Sequence, residues 1–220
     1  MTTTTRTLSE QDSKELLADY GVPFAQEVLV ADGTAAAAAV GAVGGPCALK
    51  LCGDAIAHKT ERGLVRLGVT QGEAAAVAEE LLAAGRPEDG VTGVLVAEMV
   101  KGNRELIAGI ARDPQFGPTL LLGVGGILAE AVADVAVRVL PVARVDAREM
   151  LEQLELQSLL GEFRGEPAVD AEAVADVLTG LADAARARPD LVSVDLNPLV
   201  VRDGRPVAVD ALVELEEVGA

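Results

Sequence analysis

Aromatic residues make up only 2 % of this 220-residue chain, which has no tryptophan, one tyrosine and three phenylalanines. Its core must therefore be built from Ala, Val and Leu, and a hydrophobic content of 50 % supplies them. Positive charge is also scarce, with 18 Lys and Arg against 35 Asp and Glu and a formal net charge of -17. Such a chain repels phosphate backbones and anionic lipid, which excludes non-specific nucleic-acid binding. Long apolar runs are missing. The stretch 35–49 is broken by Gly41, Gly44, Gly45 and Pro46, and 119–129 is short and glycine-rich, so neither spans a membrane. The start, MTTTTRTLSEQD, lacks a secretory apolar region, and the expected compartment is the cytoplasm. The two cysteines, Cys47 and Cys52, flank Lys50 without metal-ligand spacing and read as buried reduced thiols.

What is present is a mixture of helical and strand patterns. Ser9 with Asp12 three residues on opens a helix that stops at Gly21, with Pro23 beyond, and the threonines 2–5 read as a frayed end. Strands are expected at 24–30, 47–52 and 63–69, and helices at 34–43 and 72–84. The stretches 93–100 and 105–111 flank Lys101-Gly102-Asn103-Arg104 and read as a hairpin. Further strands at 119–122 and 135–140 lead to helices at 146–160 and 170–187. Strands at 192–196, 199–201 and 206–212 close the chain, the last after an Asp203-Gly204 turn. Without regular βαβ alternation the class is α+β. The Gly/Pro/acid cluster at 84–91 suggests two lobes, 1–90 and 91–220.

Several residues stand out chemically. Lys50, between Leu49 and Leu51 in an apolar strand, is expensive to bury alone and calls for an anion, either an internal acid or a ligand. His58 is the only histidine and precedes Lys59 in a polar loop. It is either a surface or packing residue, or a base or phosphoryl acceptor. Gly123-Val124-Gly125-Gly126 makes a tight bend or offers backbone amides to an anion. Strand alternation puts Asp195 and Asn197 on one face, and the return strand can bring Asp210 beside them, a set of oxygen ligands suited to magnesium. The alternative is an Asn-Pro turn with a surface acid. Glu98 and Glu105 read as solvated strand residues unless an adenine or ribose lies nearby.

Taken together, these segments resemble the ATP-grasp subunit of the ADP-forming acyl-CoA synthetases, the acetate-CoA ligase group related to succinyl-CoA synthetase. The resemblance runs from about Leu16 to Leu215 and is carried by ALKL, AIAHKTERGLV, LVAEMV, VAVRVLPV, VDLNPLVV and VAVDA, and most specifically by RDPQFGP followed by GVGGILAE. It implies a two-lobed ATP-grasp fold with the nucleotide between antiparallel sheets. It further implies a catalytic His58 that relays a phosphoryl group, and Lys50 on the nucleotide phosphates. Glu98, Met99 and Val100 would line the adenine pocket, Glu105 would lie near the ribose and phosphates, and Arg138 would be a further phosphate contact. Magnesium would sit on Asn197 and Asp210 with Asp195 nearby. The resemblance implies ATP or ADP and Mg2+ as bound species, and a CoA-binding alpha-type partner in a hetero-oligomer. Two other functions stay open: another ATP-grasp carboxylate ligase, which does not need His58, and a non-catalytic nucleotide-binding module. The family loop usually ends in two glycines before valine, whereas here Leu64 follows Gly63.

Overall fold

A computed structural model describes residues 4–56, 59–126 and 134–217 of the chain. The chain divides into two compact units. The smaller comprises Thr7–Asp12 and Ala25–Met99, the larger Met1–Arg6, Ser13–Phe24 and Val100–Ala220. Among the described residues no helix is long and apolar enough to cross a membrane.

In the smaller unit, strands β2 (Glu27–Val30), β3 (Cys47–Gly53), β4 (Val65–Val69) and β5 (Val91–Glu98) form an antiparallel sheet in the order β2-β5-β3-β4. Every residue of β3 is buried. Helices α2 (Gly33–Val43) and α3 (Gln71–Ala83) pack on each other and on the sheet. Their small side chains allow a close approach, for a Cβ on Gly33 would stand 2.5 Å from the Ala75 carbonyl oxygen. Asp32 caps α2 by accepting from the Ala35 amide at 2.8 Å. Ala36, Val40, Leu49, Leu51, Ala78, Leu81 and Val96 share one core, as the lack of aromatics requires. Cys47 and Cys52 lie within the buried set as free thiols, and burial pushes the Cys47 thiol up from its ordinary value.

Leu64 belongs to that core, at 2 % exposure. Its amide donates to the Lys59 carbonyl at 2.8 Å and its carbonyl accepts from the Leu51 amide at 3.0 Å. The leucine that departs from the family's second glycine is thus a packing residue docking the segment after His58 onto β3. Leu64→Ala is expected to cost about 2–5 kcal/mol of unfolding free energy, read from denaturant melts. A second tether joins Arg62 to Asp89 through paired hydrogen bonds of 2.8 and 2.7 Å, with the Arg86 amide donating to Asp89 at 2.8 Å. The Arg62 guanidinium, then the Arg86 amide, hold the Asp89 carboxyl down at about 2. A depressed carboxyl stabilises the fold above its unfolded value and loses that contribution as pH falls through its folded one. Asp89→Asn should therefore melt several degrees lower at neutral pH, with the gap closing between pH 3.8 and about 2.

The larger unit is built on a seven-stranded sheet in the order β1-β11-β9-β6-β7-β8, with β10 also paired to β9. Its strands are β1 (Thr5–Thr7), β6 (Glu105–Asp113), β7 (Gly117–Val124), β8 (Val135–Val139), β9 (Leu191–Arg202), β10 (Arg205–Ala208) and β11 (Leu212–Glu216). Helix α1 (Glu10–Ala18) starts at a Ser9 cap, whose hydroxyl accepts from the Asp12 amide at 3.1 Å and donates to the Asp12 carboxylate at 2.8 Å. The long helix α6 (Ala171–Ala187) buries one face against β6, β7 and β9, and α4 (Arg144–Gln153) packs on it.

Four expectations about elements are corrected. Residues 93–100 and 105–111 do not form a hairpin: β5 has both edges taken by β2 and β3 of the smaller unit, while β6 pairs with β7 and β9 in the larger. The expected helix at 146–160 is broken after Gln153. The Asp134 carboxylate accepts from the amides of Glu155 and Leu156 at 2.8 and 2.9 Å, and the Gln157 amide group donates to the carbonyls of Leu151, Glu152 and Leu154. Only the short α5 (Gln157–Leu160) follows. Thr5 is not frayed but part of β1, and β9 runs unbroken through Asn197-Pro198 where two strands were expected.

Candidate functional site

In the smaller unit, the central position of β3 forces Lys50 into the interior, where it is 6 % exposed. Its ammonium finds the anion that burial demands, the Oε1 of Glu10 at 2.7 Å. The other oxygen of Glu10 accepts from Lys59. His58 and Ala57 lie outside the described residues. Glu98 ends β5, where its Oε1 accepts from the Gln26 amide at 3.1 Å and its own amide donates to the Gln26 carbonyl at 2.9 Å. Met99 after it is 36 % exposed, and Val100 is half-buried.

In the larger unit, β9 presents Asp195 and Asn197 outward while Leu196 between them is fully buried, the alternation expected of a half-covered strand. β10 and β11 both pair with β9, with Ala208 opposite Leu199 and Leu212 opposite Asp195. Asp210, between them, is carried alongside Asn197-Pro198, and the Val209 amide donates to the Pro198 carbonyl at 3.3 Å. The Asp195 carboxyl reaches solvent yet is pushed up from its ordinary value, first by partial loss of hydration and second by the Asp210 charge. Among the described residues no three Asp, Glu, His or Cys side chains form a metal-binding group; the set here is two carboxylates and an amide.

Register decides which other residues share this face. Asp195 lies opposite Gly109, Gly109 opposite Leu121, and Leu121 opposite Val137. Alternation along β6 puts Glu105 on the Gly109 face and therefore on the Asp195 face. Arg138, next to Val137, points to the other face beside buried Leu120, and its guanidinium donates to the Val137 carbonyl at 3.0 Å. The structure therefore does not bring Arg138 together with the acids. Glu105 also borders a cavity of about 330 Å³ with Arg104, Gly125, Gly126 and Phe163. The glycine bend serves packing in part. The Gly125 amide donates to the Glu105 carbonyl at 2.7 Å, and a Cβ there would stand 3.2 Å from Glu105 backbone, so this amide does not serve an anion.

Residues 1–215 match the ATP-grasp domain family. The chain belongs to the ATP-grasp family. It is 33 % identical over 210 residues to the beta subunit of ADP-forming acetate-CoA ligase I of Pyrococcus furiosus, covering 94 % of this chain and 90 % of that one. To the ADP-forming acetate-CoA ligase I of Archaeoglobus fulgidus it is 34 % identical over 205 residues, 92 % of this chain but 30 % of that protein. The structure superposes with a TM-score of 0.78 on acetyl-coenzyme A synthetase 1 of Ca. Korarchaeum cryptofilum with coenzyme A and Mg-AMPPCP, whose phosphohistidine segment points towards its nucleotide-binding site. Identity there is 30 %, with 94 % of this chain and 91 % of that one covered. A complex of the same synthetase with coenzyme A and Ca-AMPCP gives a TM-score of 0.87 at 31 % identity, covering 96 % and 93 %.

The donor chemistry of this ATP-grasp chain fits the magnesium its family uses. Magnesium takes oxygen ligands, and two carboxylates whose charges repel gain from a cation between them. Glu10 was missed from sequence. Its only signal was indirect: a lysine in a buried strand requires an anion, but nothing local says which of 35 acids supplies it.

Proposed function

We propose that this chain is the nucleotide-binding subunit of an ADP-forming acyl-CoA synthetase, which interconverts acid, CoA and ATP with acyl-CoA, ADP and phosphate. The observation that carries this reading is coverage. The chain accounts for 90 % of a relative that is itself a beta subunit, but for only 30 % of a relative bearing the ligase name without a subunit. The beta-subunit relative supports a partner subunit in this reading, and a CoA-binding alpha-type subunit in a hetero-oligomer is the partner whose chemistry would complete the reaction.

Within this reading Asp195, Asn197 and Asp210 hold magnesium, which offsets charge on the nucleotide phosphates when bound. Lys50 adds a fixed cation for the same phosphates, and Glu98, Met99 and Val100 take the adenine, with Glu105 at the ribose and phosphates. His58 is the nucleophile: a ring nitrogen bonds to the γ-phosphorus as the bond to the bridging oxygen breaks and ADP leaves. The phosphoryl group then passes to the partner's site.

The test is to supply the purified chain with acetate, ATP and CoA, with and without the alpha-type subunit. No acetyl-CoA forms from the chain alone, and the pair makes it. Acetyl-CoA made by the chain by itself would overturn the subunit assignment.

A further inference from the structure

We propose that Glu10 is a positioning residue, which fixes Lys50 for the nucleotide phosphates by sharing one buried carboxylate between Lys50 and Lys59. This rests on the nucleotide-binding reading given above. All the contacts involved lie within the smaller unit.

Glu10 is the first residue of α1, directly after the Ser9 cap, and its side chain is 1 % exposed. The helix start favours a negative charge there and the cap fixes the backbone from which it projects. One oxygen holds Lys50 at 2.7 Å and the other holds Lys59, whose side chains are 7 % and 8 % exposed. A lysine stem has four flexible carbons, so a buried ammonium is placed only as well as its partner is placed. Here that partner is tied at both oxygens. Lys59 follows His58 in the chain, and its carbonyl accepts from the Leu64 amide, whose carbonyl in turn accepts from Leu51, next to Lys50. One carboxylate thus braces the strand carrying Lys50 and the residues that follow His58.

A role in packing alone would be met at lower cost by apolar side chains, because buried ion pairs are frequently replaced by hydrophobic residues without loss of stability. A cation held in place for an anionic ligand cannot be replaced in that way. The consequence is specific: loosening Glu10 should weaken contacts to phosphate and leave contacts to the nucleoside alone.

The test measures binding of magnesium-ATP by calorimetry and of adenosine by NMR titration, for the wild type, Glu10→Gln and Lys50→Ala. Glu10→Gln keeps the side-chain size but removes the charge. It is expected to weaken ATP by about 10-fold or more while adenosine binding stays unchanged. Equal weakening of both ligands would mean a structural role and overturn the proposal. Unchanged ATP binding in Glu10→Gln, with loss in Lys50→Ala, would overturn the proposal and leave the nucleotide site standing. Unchanged ATP binding in Lys50→Ala would remove Lys50 from the phosphates and overturn the proposal, whereas a wild-type chain that binds no ATP would overturn the underlying reading. Where Glu10→Gln does not fold, Glu10→Asp decides by the same criteria, since it keeps the charge but is one methylene too short to span both lysines.

Discussion

Replacing His58 by asparagine is expected to lower acyl-CoA formation by the chain and its partner by roughly 10⁴-fold or more, with magnesium-ATP binding retained. The size of the effect follows from the absence of a substitute. His58 is the only histidine in the sequence, so no second imidazole of this chain can accept the phosphoryl group. Asparagine cannot be a nucleophile toward phosphorus, whereas imidazole can, and it divides one transfer into two. Two measurements check this. Turnover with both subunits should collapse, and radiolabel from the γ-phosphate of ATP should bind wild-type chain through an acid-labile, alkali-stable bond and not bind His58→Asn at all. Lys50→Ala should behave differently, losing ATP affinity first. Full turnover in His58→Asn would favour an ATP-grasp ligase that activates its acid without a histidine.

The ATP-grasp fold was legible because its signals are local and chemical. The Ser9 cap, the Gly21 and Pro23 stop, and the alternation that turns Asp195 and Asn197 outward around buried Leu196 each depend on residues close in sequence. RDPQFGP and GVGGILAE carried the family. What the sequence could not convey was pairing between distant segments. Lys101 to Arg104 has the composition of a hairpin turn, yet β5 and β6 join different sheets, with both edges of β5 taken by β2 and β3. The edges that compete for a strand are invisible to local turn chemistry. The same limit hid Glu10, which lies 40 residues before Lys50. The register that turns Arg138 to the Leu120 side of the sheet is likewise a long-range pairing. Leu64 is instructive in the opposite sense. A bulky residue where the family loop usually has a second glycine is explained once Leu64 is found in the core with Leu49 and Leu51.

The second large effect is expected at the acidic pair, where function and stability should move in opposite directions. Asp210→Asn and Asp195→Asn should each weaken magnesium-dependent ATP binding by at least the roughly 10–100-fold that loss of a supporting partner costs at a metal site. Calorimetry at fixed ATP and varied magnesium reads this directly. In the chain without metal the sign reverses. Asp195 is held above its ordinary value by lost hydration and by the Asp210 charge, so its ionised form costs stability at neutral pH. A carboxyl raised in the folded state makes stability fall as pH rises through its folded value. Asp195→Asn should therefore leave the metal-free chain as stable as the wild type or more so at neutral pH, and this advantage should vanish in acid, where Asp195 is protonated. Magnesium should stabilise the wild type and not the variant. Two acids that repel each other on one strand face are the pair we propose for magnesium, and a variant that gained nothing in the metal-free state while binding magnesium normally would remove Asp195 from the proposed site.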